Sequence, residues 1–252
     1  MVSRPAAWHD KVAIVTGGAL GIGAAVAKQG VESGGAVYVL DLDERGVETA
    51  GAVGARFIHA DVADEGAVAA AVQRVLADHG RVDILVNSAS RNSEADARTM
   101  TVAEWDALMA LDVRAPWLLS RAVLPGMVEA GAGSIVNIGS LHATLTAEGS
   151  FPYGAAKAGL AGLTRSLALD FAPHGIRVNT VTPGWTLSER VSADLARLPA
   201  EELERLIATQ PMRRFATPDE VARVVVFMAS DEASFVTGAN WSVDGGLGAR
   251  FA

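Results

Sequence analysis

Six short runs rich in β-branched residues, at 11–16, 36–40, 56–59, 82–86, 134–138 and 177–181, alternate along the chain with long alanine-rich stretches. The runs are apolar almost throughout, whereas a strand with one wet face alternates apolar with polar residues. A strand buried on both faces needs helices above and below it, and a strand–helix–strand rhythm supplies them. The expected fold class is therefore α/β, a doubly wound parallel sheet with helices on both faces.

At 252 residues, half of them apolar and a fifth charged, the chain is long enough to bury one sizeable core. No linker, repeat or low-complexity stretch divides it, so residues 1–252 read as a single domain. Thr101 with Glu104, and Thr217 with Glu220 and Pro218 at the first helical position, form two capping-box signatures that mark helix starts. The longest irregular stretch, 183–214, holds a short amphipathic helix near 200–208 and follows a strand end, where such sheets bind ligands. Residues 184–214 are the candidate substrate lid.

With no cysteine and five histidines lacking ligand-like spacing, neither a metal site nor an oxidising compartment is expected. A net charge of −8 offers no basic footprint for nucleic acid and repels anionic lipid. Residues 1–10 include Arg4, Pro5, His9 and Asp10 but no apolar signal core, and no eighteen-residue apolar run follows. The expected location is cytoplasmic, with a small-molecule substrate and other copies of the chain as partners.

Between the first run and its helix lies Thr16-Gly17-Gly18-Ala19-Leu20-Gly21-Ile22-Gly23. Glycines let the backbone approach a pyrophosphate there, and free amides at a helix start favour the anion, so the fold is read as Rossmann-type. Eighteen residues beyond Gly23, at the end of the second strand, Asp41 can accept hydrogen bonds from an adenosine ribose diol. Its charge would repel a 2′-phosphate, and neither Leu20 nor Leu42 supplies a cation to reverse that. The expected cofactor is NAD.

Tyr153 and Lys157 stand four apart at the start of a predicted helix and so share a face. A phenol is a poor base at neutral pH, and a neighbouring ammonium favours its phenolate, which makes Tyr153 a usable acid/base.

Taken with the glycine turn, Asp61-Val62, Asn87-x-Ala89, Ser140, Tyr153-x-x-x-Lys157 and Pro183-Gly184 closely resemble the short-chain dehydrogenase/reductase family. The resemblance runs from about residue 11 to 246 and ends in Thr237-Gly238 and Val243-Asp244-Gly245-Gly246. It implies that Asp61 and Val62 contact the adenine and that Asn87 holds the sheet near the cofactor. From the residues alone, Asp61 also reads as a turn aspartate and Asn87 as a strand-end cap. By the same resemblance Lys157 hydrogen-bonds the nicotinamide ribose, and Ser140 holds the substrate oxygen and stabilises charge developing on it. After Pro183-Gly184 the family often places a threonine on the carboxamide; this chain offers Thr186 and Ser188, with Ser188 favoured by spacing. A homotetramer is implied, and Trp241, Leu247 and Phe251 provide apolar surface for it.

The chain departs from that pattern twice. Asp112, seven residues after Trp105 in the helix that starts near Thr101, stands where many members have asparagine, whose carbonyl is thought to hold a relay water. Pro116 has no N–H for the carbonyl of Asp112, so that carbonyl is expected to stay open to water despite the changed side chain. Ser90 stands where the family usually has glycine, tolerable where φ is negative and costly otherwise.

The favoured reading is an NAD-dependent oxidoreductase moving hydride between nicotinamide and a secondary alcohol or ketone. Arg91, His142 and Arg190 suggest a carboxylate-bearing substrate, a sugar acid or hydroxy acid, since an arginine fork and a histidine suit that group. The alternatives are a dehydrogenase of a neutral sugar, polyol or apolar ketone, a catalytically impaired NAD-binding regulator, and a scaffold.

Overall fold

The computed structural model describes residues 7–93 and 95–250. The elements begin β1 (Val12–Thr16), α1 (Gly21–Glu32), β2 (Ala36–Asp41), α2 (Arg45–Val53), β3 (Arg56–His59), α3 (Glu65–His79), β4 (Ile84–Asn87) and α4 (Val102–Met109). They continue with α5 (Ala115–Ala130), β5 (Gly133–Ile138), α6 (Tyr153–Phe171), β6 (Ile176–Pro183), α7 (Glu189–Leu195), α8 (Ala200–Thr209), α9 (Pro218–Ala229) and β7 (Asn240–Val243).

Successive side chains of a strand point to opposite faces, and here both faces are buried. Val12 and Ile14 of β1 join Tyr38 and Leu40 of β2 in one cluster, packed under Val72 and Val75 of α3 and Leu119 and Val123 of α5. Ala13, Val15, Val37 and Val39 join the other, under Val26 of α1, Ala50 of α2 and Val221 and Val225 of α9. The apolar runs carry no polar alternation because neither face meets water.

All seven strands are parallel, in the order β3-β2-β1-β4-β5-β6-β7. The chain winds outward from β1 to β3, then crosses to β4 on the other side of β1. The carboxyl ends of β1 and β4 therefore flank the switch point at which sheets of this kind form a ligand crevice.

The structure differs locally from the sequence reading. β7 is not among the six runs because it is a short, largely exposed edge strand, Asn-Trp-Ser-Val, with little apolar content. Its Trp241, 43% exposed, meets Phe227 of α9 edge-on at 5.7 Å. Phe251 lies outside the described residues. Stretch 183–214 is less irregular than expected: β6 runs to Pro183, α8 matches the amphipathic helix, and α7 precedes it, too short at seven residues to show a period. Both capping boxes form. Glu220 also takes the guanidinium of Arg214 at 2.6 Å, and that bond with the cap holds its carboxyl down to about 2, fastening the end of the candidate lid to α9.

Asp112 is not in the helix that Thr101 caps. That helix, α4, ends at Met109, and 110–114 form a wide π-turn, with the Ala115 N–H reaching back five residues to the Ala110 carbonyl before α5 begins. Pro116 in the first turn of α5 removes one ordinary helical donor where the pitch changes. Among the described residues only Asp10 and Arg213 combine a side chain with positive φ, so Ser90 does not need glycine's freedom.

Candidate active site

The switch point is built by two loops that touch. The Thr16 hydroxyl accepts the amides of Ser88 (3.0 Å) and Ala89 (3.1 Å), tying the glycine turn to the segment after β4. Gly17 has φ +66°, and a Cβ there would lie 2.7 Å from the Ala89 backbone; at Gly23 a Cβ would lie 2.2 Å from the Gly17 carbonyl oxygen. Side chains at these positions would force the turn open. Leu20 caps α1 with extended backbone and no side-chain hydrogen bond, while Ile22 packs on the second core cluster. The amide of Gly21 donates to Oε2 of Glu189 at 2.9 Å, across 168 residues.

Asp41 ends β2, and its carboxylate accepts the amides of Ala19 (2.9 Å) and Asp43 (3.0 Å), which places it beside the glycine turn. Leu42 is 56% exposed. Arg45 lies within electrostatic reach of Asp41 and Glu189, so a cation does stand in this neighbourhood, though its Nε bonds both oxygens of Asp43 at 3.0 and 2.9 Å. Asp61 accepts the amide of Ala63 at 2.9 Å, as a turn aspartate does, and Val62 is buried in the first cluster. Gly184 packs against Asp244, Thr186 is buried with its hydroxyl on the Gly184 carbonyl, and Ser188 caps α7.

At the other end of the crevice, α6 starts at Tyr153 and carries Lys157 one turn later. Lys157 is 2% exposed; its Nζ donates to the Ile138 carbonyl at 3.2 Å and lies 5.4 Å from the centroid of the Tyr153 ring. That tether fixes the ammonium at the end of β5. Ser140 follows two residues on, half-buried, its Oγ accepting the His142 amide at 3.3 Å. The His142 ring meets Tyr153 edge-on at 5.5 Å and bonds the Thr146 hydroxyl at 3.1 Å; burial pushes its pKa down, towards a neutral imidazole.

Asn87 donates to Asn137 at 2.8 Å, and Thr164 accepts from both Asn137 and Thr180 at 2.9 Å, a buried chain that knits β4, β5 and β6 to α6. The carboxyl of Asp112 accepts the Arg91 amide at 3.4 Å, and the Ser90 side chain helps to lower its pKa. The three residues considered for a substrate carboxylate are differently placed. His142 adjoins Tyr153, and exposed Arg91 belongs to a segment whose Ala95 amide bonds the Phe151 carbonyl just before Tyr153 (3.2 Å). Arg190 sits on α7 facing Asp194 at 3.9 Å.

Glu189, Arg45 and the Asn137–Thr164–Thr180 chain were not foreseen. An acid just after Ser188 could be read as a helix-start signature, but nothing in its spacing points to Gly21.

The turn fits a diphosphate-bearing ligand. Its backbone is unscreened by side chains at 17 and 23, α1 lacks a side-chain cap of its own, and the Gly21 amide already accommodates a carboxylate. Asp41 could accept a ribose diol, and Tyr153, Lys157 and Ser140 bring a phenol, an ammonium and a hydroxyl that could transfer a proton and bind an oxygen. Among the described residues no acidic, histidine or cysteine cluster could hold a metal, and no helix is long and apolar enough to cross a membrane.

A family model described as enoyl-(acyl carrier protein) reductase matches residues 17–248. A cis-4-hydroxycyclohexanecarboxylate dehydrogenase from Sinomonas cyclohexanicum is 41% identical over 95% of this chain and 97% of its own length. A D-threitol dehydrogenase from Mycolicibacterium smegmatis is 40% identical over 94% of this chain and 92% of its own. Among solved structures, a provisionally named NAD(P)-dependent gluconate 5-dehydrogenase from Beutenbergia cavernae, holding NADP at low occupancy, superposes with a TM-score of 0.91 at 32% identity, covering 98% of this chain and all of the other.

Proposed function

Because the chain belongs to the short-chain dehydrogenase/reductase family and is a hydride-transferring oxidoreductase, we propose that it interconverts a secondary alcohol and its ketone with NAD, on a hydroxy acid or sugar acid. The observation that carries the proposal is the buried Lys157 ammonium, pinned to the Ile138 carbonyl at 3.2 Å and set 5.4 Å from the ring of Tyr153.

The nicotinamide supplies the hydride acceptor, or the donor in the reverse direction. Tyr153 takes the alcohol proton through its phenolic oxygen, aided by the ammonium of Lys157, which favours the negative phenolate. Ser140 donates to the same substrate oxygen and steadies the charge that develops on it. The glycine turn and Asp41 would hold the adenosine diphosphate half, and the Gly21 amide, which donates to Glu189, would serve it once that carboxylate gives way.

The preference for NAD rests on Asp41. A 2′-phosphate at roughly 4 Å from its carboxylate would cost a few kcal/mol at an effective dielectric near 20. Arg45 is a cation within reach of Asp41 that could offset this, and Asp43 holds it. Steady-state kinetics with both cofactors are expected to give the higher kcat/KM with NAD, and Asp41→Ala to narrow the gap. Equal or better efficiency with NADP overturns the assignment.

The anionic substrate is supported by His142 against Tyr153, by Arg91 at the crevice, and by the hydroxy acid in the name of the Sinomonas relative. Arg190 contributes only if its pair with Asp194 opens. A neutral polyol is the second reading, favoured by the D-threitol relative. Matched pairs of hydroxy acids and their amides separate the two: kcat/KM should favour the acid and fall about tenfold in Arg91→Ala, the scale of one charge-assisted hydrogen bond. Preference for the amide in every active pair selects the polyol.

A further inference from the structure

Asp112 is 1% exposed in the π-turn between α4 and α5. One carboxyl oxygen takes the Arg91 amide at 3.4 Å; the other, also buried, has no hydrogen-bond partner among the described residues. The π-turn packs directly against α6, from which the Lys157 charge acts on the carboxyl, and Arg91 acts on it from the segment after β4. Burial pushes the carboxyl above the ordinary carboxylate range, while the Lys157 charge, the Ser90 side chain and Arg91 pull it back. Three other charges on the adjoining elements are engaged elsewhere: Arg114 bonds the Ala63 carbonyl, Glu104 the cap of α4, and Arg121 of α5 pairs with Glu65. Across the crevice, Lys157 is followed by Tyr153 and then by the ring of His142.

We propose that the side chain of Asp112 is a positioning residue acting through Lys157: its carboxylate, held by the Arg91 amide, offsets the ammonium and so raises the pH at which Tyr153 gives up its proton. The proposal rests on the assignment of Tyr153 as the proton-transferring group. An ammonium lowers the cost of a neighbouring phenolate, and an anion behind the ammonium takes part of that help away. The Lys157 charge favours the ionised form of the carboxyl on which this effect depends. The Asp112–Lys157–Tyr153 line thus sets the working pH of alcohol oxidation, with Asp112 touching neither substrate nor cofactor.

The chain has only two tyrosines, so phenolate absorbance reads this directly and needs no substrate. Tyr38 is buried, bonded to Asp78, and ionises above its ordinary range; subtracting a Tyr153→Phe titration isolates Tyr153. Asp112→Asn keeps the acceptor for Ser90 and Arg91 but loses the charge, and is expected to lower the Tyr153 midpoint by about one pH unit, the scale of one nearby charge. The acid limb of kcat/KM for alcohol oxidation should move down with it. Asp112→Ser, smaller and equally uncharged, is expected to shift the midpoint in the same direction, which keeps the test open if the asparagine variant folds poorly. Ser90→Ala leaves the charge in place and should leave the midpoint where it is; a purely structural role for the contact predicts no shift in any of the three. An unchanged or raised midpoint in both Asp112 variants overturns the proposal. Lys157→Met separates the two levels: if it raises the midpoint while the Asp112 variants do nothing, only the role of Asp112 falls. If it too does nothing, the assignment of Tyr153 falls with it.

Discussion

Replacing Tyr153 with phenylalanine is expected to lower kcat by about 10³-fold, within the range that a positioned general acid or base contributes. The change removes one hydroxyl. Phenylalanine keeps the ring that His142 meets at 5.5 Å and that lies 5.4 Å from the Lys157 ammonium, so α6 and the turn after β5 should remain packed. The glycine turn and Asp41 are untouched, and dinucleotide affinity should change little. An interaction made only in the transition state lowers kcat and kcat/KM together, and that is the pattern to look for. Turnover with saturating alcohol and a fluorescence titration of the cofactor read the two quantities separately. A variant that keeps most of its rate removes Tyr153 from the chemistry.

The second large effect is expected at Gly23→Ala. A methyl group there would stand 2.2 Å from the Gly17 carbonyl oxygen and 3.0 Å from the Gly18 Cα. Both are backbone, so the turn has to open. Forcing bulk into such a site costs typically 1–3 kcal/mol, and if that strain falls on the bound conformation, dinucleotide affinity drops by about 10- to 100-fold. Gly51→Ala provides the contrast: no atom lies within 4 Å of a methyl group there, and within α2 alanine is favoured over glycine by up to about 1 kcal/mol. It should melt slightly higher and bind as before. Isothermal titration with NAD on both variants decides the matter, and undiminished affinity in Gly23→Ala would mean that the turn is not the diphosphate seat.

Much of the fold could be read from the chain because its cause is local. Runs such as that at 36–40 are apolar on both sides, as a doubly covered sheet requires, and Thr101 with Glu104 and Thr217 with Glu220 close boxes across a spacing of three. The helical spacing of Tyr153 and Lys157 placed both on one face for the same reason. What stayed hidden depends on contacts between distant segments. Spacing could not reveal that Lys157 would be tethered to the carbonyl of Ile138, that Glu189 would reach the Gly21 amide, or that Arg45 would approach Asp41 from the helix after it. β7 and α7 were missed because an exposed edge strand of four residues and a helix of seven carry too little pattern to register. The two departures noted separately in the sequence, Ser90 and Asp112, turn out to be electrostatic neighbours, a relation that a separation of 22 in sequence gave no means of seeing.

The central claim, direct hydride transfer to NAD in the Tyr153–Lys157 site, is tested most directly by a hydroxy acid carrying deuterium on its carbinol carbon. The reduced cofactor is isolated after turnover and weighed by mass spectrometry. The expected result is deuterium on the nicotinamide ring in proportion to ketone formed, with label and ketone both lost in Tyr153→Phe. Ketone formed with no deuterium in the cofactor, or with undiminished transfer in Tyr153→Phe, would contradict it.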